Sequence, residues 1–477
     1  MNSTYLELGI QQYMIKSLKE LEMKEKINEH TILHMTALLY DEQEDADIYN
    51  TKAGTQITLQ QRGEQQQILF QGIVKKITIE KQQGVYWLTL EALSNTYLLD
   101  IKKSSQSFQN GNMTYIDMIK KVLEPYQGSD VIDNATEGKT IENFIMQYQE
   151  TDWEFIKRVA SHFQAPIIPF YLADKPKFTI GMPKGENRGD LTQYHYRIEK
   201  NMEQYLRLYQ NGNENLKELD FILFYVETNK NFSVGDSVTF QDITLYIKQK
   251  TAKIKQGILI YEYILSSENS FIQDKLYHKN IVGLSLKGKV LEVIEDKVKV
   301  QLEIDTEEVN KEEAYAFPYT TMYTAEGNSG WYCMPEVDDT VMIYFPTREE
   351  KDGVGINSIR MLEKGSDKLS DPDVKYFRTK NGKELKFSPE EILITCCNGT
   401  DEQTGQEHIT YIRLHTQNGI EIVSTEPILL KSDQNIDFQA GDQIFLAAKE
   451  EIIFQCKTSQ ITVNQMIDIA GKEVRIN

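Results

Sequence analysis

Cysteine is nearly missing from this chain: four residues in 477, Cys333, Cys396, Cys397 and Cys456. They form no metal-ligand spacing and no disulfide framework, so a reduced, cytoplasmic setting is expected. Histidine is scarce too, with seven residues. His30 and His34 stand four apart, but Thr31-Ile32-Leu33 between them reads as strand, where that spacing parts two side chains by more than a metal ion spans. Basic charge is in deficit: 52 Lys and Arg against 72 Asp and Glu leave a net charge of −20. A nucleic-acid surface needs a basic field, so that class is excluded. No apolar run reaches the length of a membrane-spanning helix. The opening Met1-Asn2-Ser3-Thr4-Tyr5 lacks a basic region followed by an apolar stretch, so no export signal is expected. Gly-x-Ser-x-Gly, His-Glu-x-x-His and a phosphate-cradling glycine loop are all missing. The acidic run Asp41 to Asp47 lacks the turn glycine and terminal glutamate of a calcium loop and reads as a solvated loop. No catalytic, cofactor or metal residue is assigned, and an enzyme is not expected.

What is present is a repeat. Ile412, Ile420, Ile428, Ile436, Ile444 and Ile452 recur every eight residues, each followed two positions later by Leu414, Ile422, Leu430, Phe438, Leu446 or Phe454. An apolar-x-apolar pair puts both side chains on one strand face, and the residues between, such as Thr416-Gln417-Asn418-Gly419 and Gln439-Ala440-Gly441-Asp442, are turn formers. Each octad therefore reads as one strand and one corner. One octad cannot bury its stripe alone, so copies must stack. Single-chain β-helices favour hexapeptide or nonapeptide repeats. Three chains winding round one axis suit eight better, and twelve inward side chains at about 1.5–3 kcal/mol each contribute several tens of kcal/mol before chain entropy is subtracted. An antiparallel meander is the alternative, although natural hairpins vary in length and six equal spacings do not. After Phe454 the register slips through Ile461, Val463, Ile467, Ile469, Val474 and Ile476, which reads as a tapering end.

The rest of the chain is β-rich. Strands are predicted at Ile68 to Val74, Lys76 to Ile79 and Val85 to Leu90, with polar breaks between them. Two packing helices are predicted: Tyr115 to Leu123, capped by Thr114, and one starting at Thr151 with Glu154 completing a capping box. Asp152 then serves as a helix-dipole partner and Trp153 as core. From Gly283 to Phe345 the pattern is β: Val298, Val300, Leu302 and Ile304 alternate, and strands are expected at Trp331 to Pro335 and Val341 to Phe345 around an acidic turn. About 65 residues of this kind suit a five-stranded oligonucleotide/oligosaccharide-binding (OB) barrel. A polar segment, Lys351 to Val374, leads to a hairpin turning at Asn381-Gly382.

Three segments carry a resemblance. Tyr148, Glu150, Asp152, Trp153 and Phe155 lie in a Gln-Tyr-x-Glu-Thr-Asp-Trp-x-Phe run, Gly330, Trp331 and Pro335 in a Gly-Trp…Pro stretch, and Phe377 to Leu385 in an Arg-Thr-x-x-Gly-x-x-Leu run. A weaker match is Val234-Gly235-Asp236-Ser237-Val238. In these segments and their order the chain resembles the VgrG-like spike proteins of contractile injection systems, with the related phage tail hub and late-control D proteins. The resemblance implies a mainly β fold: a phage hub-like α+β module over 1–275, an OB-fold barrel over 281–350, a linker leading into the needle over 351–385, and an intertwined trimeric β-helix over 386–477. It implies a homotrimer that meets an inner tube protein and baseplate proteins. A PAAR-type tip protein and separately encoded effector cargo are implied further partners. The implied function is structural: a spike assembled in the cytoplasm into a particle and driven through a target envelope, touching the membrane only by puncture. Glu336 and Asp338 stand where the family has a basic residue and glycine, so a different corner turn is expected there. Val-Gly dipeptide repeats are missing as well, which points away from proteobacterial type VI members without choosing among type VI, extracellular, phage or tailocin systems. Only about 30 residues part Phe345 from Phe377, too few for an inserted lysozyme domain of ordinary size. No toxin extension is expected after Ile476. The rival reading is a trimeric tail fibre or adhesin, whose binding tip calls for exposed aromatics on irregular loops.

Overall fold

Leu33, Met35, Ala37 and Leu39 are buried on every second position of one strand, while His34 between them is exposed. That alternation, repeated strand after strand, builds the largest layer of the chain. The structure, a computed structural model, describes residues 7–40, 46–62, 67–183, 185–191, 195–325, 329–359, 371–400 and 407–463. They form two units, Met1–Met361 and Leu362–Asn477. The first holds a twelve-stranded sheet in which Ile15–Lys26 from the N-terminal half pairs antiparallel with Ile243–Lys255. Its inner face buries Leu21, Met23, Leu88, Leu90, Tyr263 and Leu265 in one core. The two strands expected between Ile68 and Ile79 are one, Gln67–Gln82. Lys75-Lys76 do not break it; they sit at a bulge that shifts the register between Val74 and Lys76, so the polar residues are absorbed by twist.

Four helices occur among the described residues: α1 (Ala46–Asn50), α2 (Tyr115–Leu123), α3 (Asp152–His162) and α4 (Met202–Gln210). Thr114 caps α2 by accepting from the Asp117 N–H, and Thr151 with Glu154 forms the expected capping box on α3. Met118, Ile119 and Val122 of α2 pack with Phe155, Ile156 and Val159 of α3 in a second core. Three short strands, Ile167–Pro169, Lys177–Ile180 and Asp130–Asp133, share it.

A five-stranded antiparallel sheet follows, in the order Ala316–Pro318, Lys297–Leu302, Ser285–Ile294, Thr340–Tyr344, Val354–Ile359. Its last strand lies beyond residue 350, inside the segment read as a polar linker, because Val354 and Ile356 alternate against Tyr344 and Met342. Trp331 to Pro335 is irregular rather than strand; only Ser329–Gly330 pairs, with Thr324–Ala325. Asp338 adopts φ +76°, the left-handed conformation that glycine favours and that aspartate tolerates better than most residues.

In the second unit, Lys375–Arg378, Lys383–Phe387, Glu391–Thr400, Glu407–His415 and Gly419–Val423 form an antiparallel meander. Gly382, at φ +74°, makes its first turn. Ile412 lies opposite Ile422, and Leu414 opposite Ile420. The first two octads thus fold back as a hairpin within one chain instead of each turning a corner. From 424 to 451 no strand partner exists among the described residues, yet the backbone bends at 425–426, 433–434, 441–442 and 449–450, every eight residues. A last hairpin pairs Ile452–Cys456 with Ser459–Val463. Most of Asp41 to Asp47, and the taper after Val463, lie outside the described residues.

One buried charge in the first core has a measurable consequence. Glu25 and Lys250 are direct cross-strand partners pointing inward. Lys250 Nζ donates to the Tyr171 hydroxyl at 2.9 Å, whereas Glu25 Oε2 has no hydrogen-bond partner. Burial pushes the Glu25 carboxyl up from 4.5 to about 7, against the pull of Lys250. The folded chain then holds a proton that the unfolded chain releases between those values. Stability from Glu25 is full below pH 4.5 and is lost as pH rises through 7. Thermal melting between pH 4.5 and 8 is expected to fall with pH in the wild type and to flatten in Glu25→Gln; parallel curves would acquit Glu25.

Candidate functional site: the interlock of helix α3 with the five-stranded sheet

The strand Ile145–Thr151 runs directly into α3, and its residues divide between two cores. Met146 and the preceding Phe144 enter the core of the five-stranded sheet with Val298, Phe317 and Phe345; Trp153 and Phe155 enter the helical core. The strand divides its side chains this way because it kinks. Gln149 takes φ +50°, and the pairing with Lys103–Phe108 slips between Ser104 and Ser105.

At the kink an arginine gathers three acceptors. Arg158 of α3, 3% exposed, grips Glu150 through Nε at 2.9 Å and Nη2 at 2.8 Å. Its Nη1 meets Glu350 at 2.5 Å and its Nη2 also donates to the Met146 carbonyl at 2.8 Å. Burial alone would lower the Arg158 pKa, but Glu350 and then Glu150 outweigh it and raise it. Glu350 precedes the final strand of the five-stranded sheet, so one guanidinium ties α3, the motif strand and that sheet together. Buried His278 adds a fourth element: its Nε2 lies 2.7 Å from the Tyr148 carbonyl and 3.5 Å from Glu150.

The other motif residues support the same joint. Asp152 accepts from Tyr126 at 2.6 Å and from Gln147 at 2.8 Å, so it is a buried acceptor as well as a first-turn acid. Trp153 meets Phe178 edge-on at 5.8 Å and the His30 ring at 4.6 Å. Phe155 stacks on Phe108 at 5.6 Å. His30 holds Thr96 and Asp100, and Thr151 donates to Asp100 at 2.5 Å. Burial would raise the Asp100 pKa; these hydrogen bonds outweigh it and lower it.

Sequence reasoning missed Arg158, Glu350, His278 and the role of His30. A signal for the first existed: Arg158 shares a helical face with Phe155 and Val159, where a charge requires buried partners. Glu350 and His278 are too far along the chain for any local pattern to connect them. Gly330, Trp331 and Pro335 are elsewhere: Pro335 is buried, Trp331 is half exposed, and a Cβ at Gly330 would meet the Tyr323 carbonyl at 2.6 Å. Of the twelve octad positions, Ile412, Leu414, Ile420, Ile422, Ile428, Leu430, Ile436, Phe438, Ile444, Leu446 and Phe454 are exposed and Ile452 is half-buried. Among the described residues no group of three or more His, Cys, Asp or Glu side chains is placed to hold a metal ion, and no helix is long and apolar enough to cross a membrane.

Arg158→Ala leaves Glu350 buried and Glu150 half-buried without their cation, and breaking a buried pair costs about 3–5 kcal/mol. The expected outcome is a lower melting temperature with faster hydrogen exchange in Phe144 to Tyr148 and in 285–302. Melting and exchange like those of the wild type would show that the guanidinium holds nothing.

Comparison with known proteins agrees with this architecture. Residues 24–163 match the family described as phage tail baseplate hub (GPD). No curated protein matches the chain in sequence. The fold is similar to that of Escherichia coli c3393, described as a component of the type VI secretion system with structural similarity to the T4 bacteriophage tail proteins gp27 and gp5. Identity is 12%, coverage is 74% of this chain and 100% of that one, and the TM-score is 0.54. It is also similar to a chain of the Francisella PdpA-VgrG complex, half-lidded, at 10% identity, 87% coverage of both chains and a TM-score of 0.56. The lidless form of a PdpA-VgrG complex gives 11% identity, 87% and 97% coverage, and 0.53. At such identities the likeness is one of fold.

Proposed function

We propose that this chain, whose residues 24–163 match the phage tail baseplate hub family and whose fold is similar to that of type VI and VgrG proteins, is a VgrG-like hub and the central spike of a contractile injection system, a homotrimer whose octads wind into a needle. The hub and spike proteins of this family are structural. The finer reading rests on one observation: bends recur every eight residues from 425 to 450 in a stretch that has no strand partner among the described residues. About 28 residues of extended backbone with unmet hydrogen-bonding groups, and a stripe from Ile428 to Leu446 left in water, is a conformation that other strands must complete. Two further copies of the same chain supply strands of the same period and the same apolar pairs. Ser424 and Ser432 accept from the Glu426 and Gln434 N–H groups at successive corners, so part of each corner is satisfied locally and the ladder positions are left for neighbours.

In this reading the interlock has a mechanical role. Force carried through the first unit must cross the joint between α3 and the five-stranded sheet, the proposed OB barrel. Two aromatic anchors and a buried charge cluster resist shear there better than a flexible linker does. Inner tube and baseplate proteins contact the hub, a PAAR-type protein caps the needle, and effectors travel as separate chains. Puncture is the only contact with the target membrane.

The test is the absolute mass of the full chain by light scattering. Three times the chain mass of 55.3 kDa is expected, with a monomer or dimer from Phe438→Asp and Ile444→Asp together. A wild-type monomer at assembly concentration would overturn the needle.

A further inference from the structure

A lysine lies in the wall of a narrow cleft in the first core, away from both the interlock and the octads. The cleft has a volume of about 40 Å³ and is walled by Leu21, Met23, Leu59, Leu69 and Leu259, all buried. Ile68, Leu172 and Asn231 also line it and are exposed, which marks where it opens to solvent. Among the described residues Lys250 is the one charged side chain lining it, and it is 1% exposed. Its Nζ sits 5.1 Å from the ring centre of Tyr171 and 5.4 Å from that of Tyr261, and donates to the Tyr171 hydroxyl at 2.9 Å. These contacts replace only part of an ammonium's hydration. Burial lowers the Lys250 pKa against the opposing pull of Glu25 and Asp236, which favours the free amine, the form that attacks a carbonyl carbon.

Glu25 supplies the acid. As the direct cross-strand partner of Lys250 it enters the same core, with Cβ atoms about 5 Å apart in such a pair. Its Oε2 is buried without a hydrogen-bond partner, and its carboxyl, pushed up to about 7, holds a proton up to neutral pH. Asp236, the other acid whose charge Lys250 feels, is engaged by Arg188 and by the N–H groups of Glu186 and Ser233. The walls then set the ligand class. An apolar cleft of this size takes a few carbon atoms and rejects phosphates, sugars and peptides, whose polar groups would lose water without replacement. A carboxylic acid would bring a second negative charge beside Glu25. A small aldehyde is neutral and apolar except at the carbonyl. We infer that Lys250 is a covalent capture site for short-chain aldehydes, held as a Schiff base with Glu25 as proton donor and counter-ion. Nζ bonds to the carbonyl carbon as the C=O π pair moves to oxygen, and one N–H proton passes to that oxygen. Glu25 then protonates the hydroxyl, which leaves as water while the nitrogen lone pair forms C=N. One aldehyde enters, one water leaves, nothing is oxidised or reduced, and the positive iminium faces the carboxylate that Glu25 has become. The site lies within one chain and is independent of whether the octads trimerise.

The experiment treats the full-length chain near neutral pH with propanal and sodium cyanoborohydride, which reduces an imine to a stable propyl-lysine, and locates the modified lysines by peptide mass spectrometry. Lys250 is expected to react about tenfold faster than the exposed Lys19 and Lys102. Benzaldehyde, too broad for the cleft, is expected to spare Lys250 and to label the exposed lysines. Glu25→Gln, checked for folding by circular dichroism, is expected to slow labelling of Lys250 by about tenfold or more while leaving Lys19 and Lys102 unchanged. Absence of label on Lys250 when the exposed lysines react overturns the inference on the wild type alone, whatever the variant does. So does label that appears only as urea unfolds the chain, which would make it a property of the opened core. Equal rates with propanal and benzaldehyde would overturn the size limit that assigns the ligand class, and an unchanged Lys250 rate in folded Glu25→Gln would overturn the role of Glu25.

Discussion

A single guanidinium holds the first unit of this protein to its own consequences. With Arg158 in place, Glu350 is buried and Glu150 half-buried at tolerable energy, the Met146 carbonyl is satisfied, and the strand before α3 can send Phe144 and Met146 one way and Trp153 and Phe155 the other. Without it the joint contains one buried and one half-buried carboxylate and no cation. Buried ion pairs are weak evidence of net stability against an apolar replacement, yet they fix geometry. Here the fixed quantity is the angle at which one core hands the chain to the next. The kink at Gln149 and the capping box at Thr151 are local devices, and they set that angle only because Arg158 closes the far side.

The second unit presents the opposite condition. Among the described residues its meander spans Lys375 to Val423 and a final hairpin joins Ile452–Cys456 to Ser459–Val463, but the stretch between them has neither a ladder nor a core of its own. Period-eight bending persists there with local corner hydrogen bonds, Glu426 to Ser424 and Gln434 to Ser432, but no ladder among the described residues to enforce it. That persistence traces to the sequence, in which corners built on Ser424, Ser432 and Gly441 alternate with apolar pairs such as Ile428 and Leu430. Local preference sets where the chain turns, and tertiary or quaternary partners must supply why it stays turned.

Much of this could be read in advance from short-range chemistry. Thr114, Thr151 and Glu154 announced the starts of two helices; Asn381-Gly382 announced a hairpin; the alternation Val298, Val300, Leu302 announced a buried strand. The errors have a common cause, which is that local rules were applied where a long-range contact decided. Lys75-Lys76 looked like a break and became a bulge because the neighbouring strand Val85–Ser94 continued past them. Trp331 to Pro335 looked like a strand and became the irregular flank of a hairpin because Gly330 had already turned the chain against Tyr323. Val354–Ile359 looked like linker because one short alternation among polar residues is invisible until Thr340–Tyr344 is there to pair with it.

What the sequence by itself determined was periodicity and termini: which residues alternate, where helices cap, and that an eight-residue unit recurs. Those properties follow from side chains a few positions apart, whose interactions are the same in any fold. Only the tertiary structure decided that Arg158 would meet a glutamate 192 residues later, that His278 would reach the Tyr148 carbonyl, and that the first two octads would close on each other. Burial and charge pairing at such distances depend on which surfaces are brought together, and that is a property of the packed chain rather than of any segment within it.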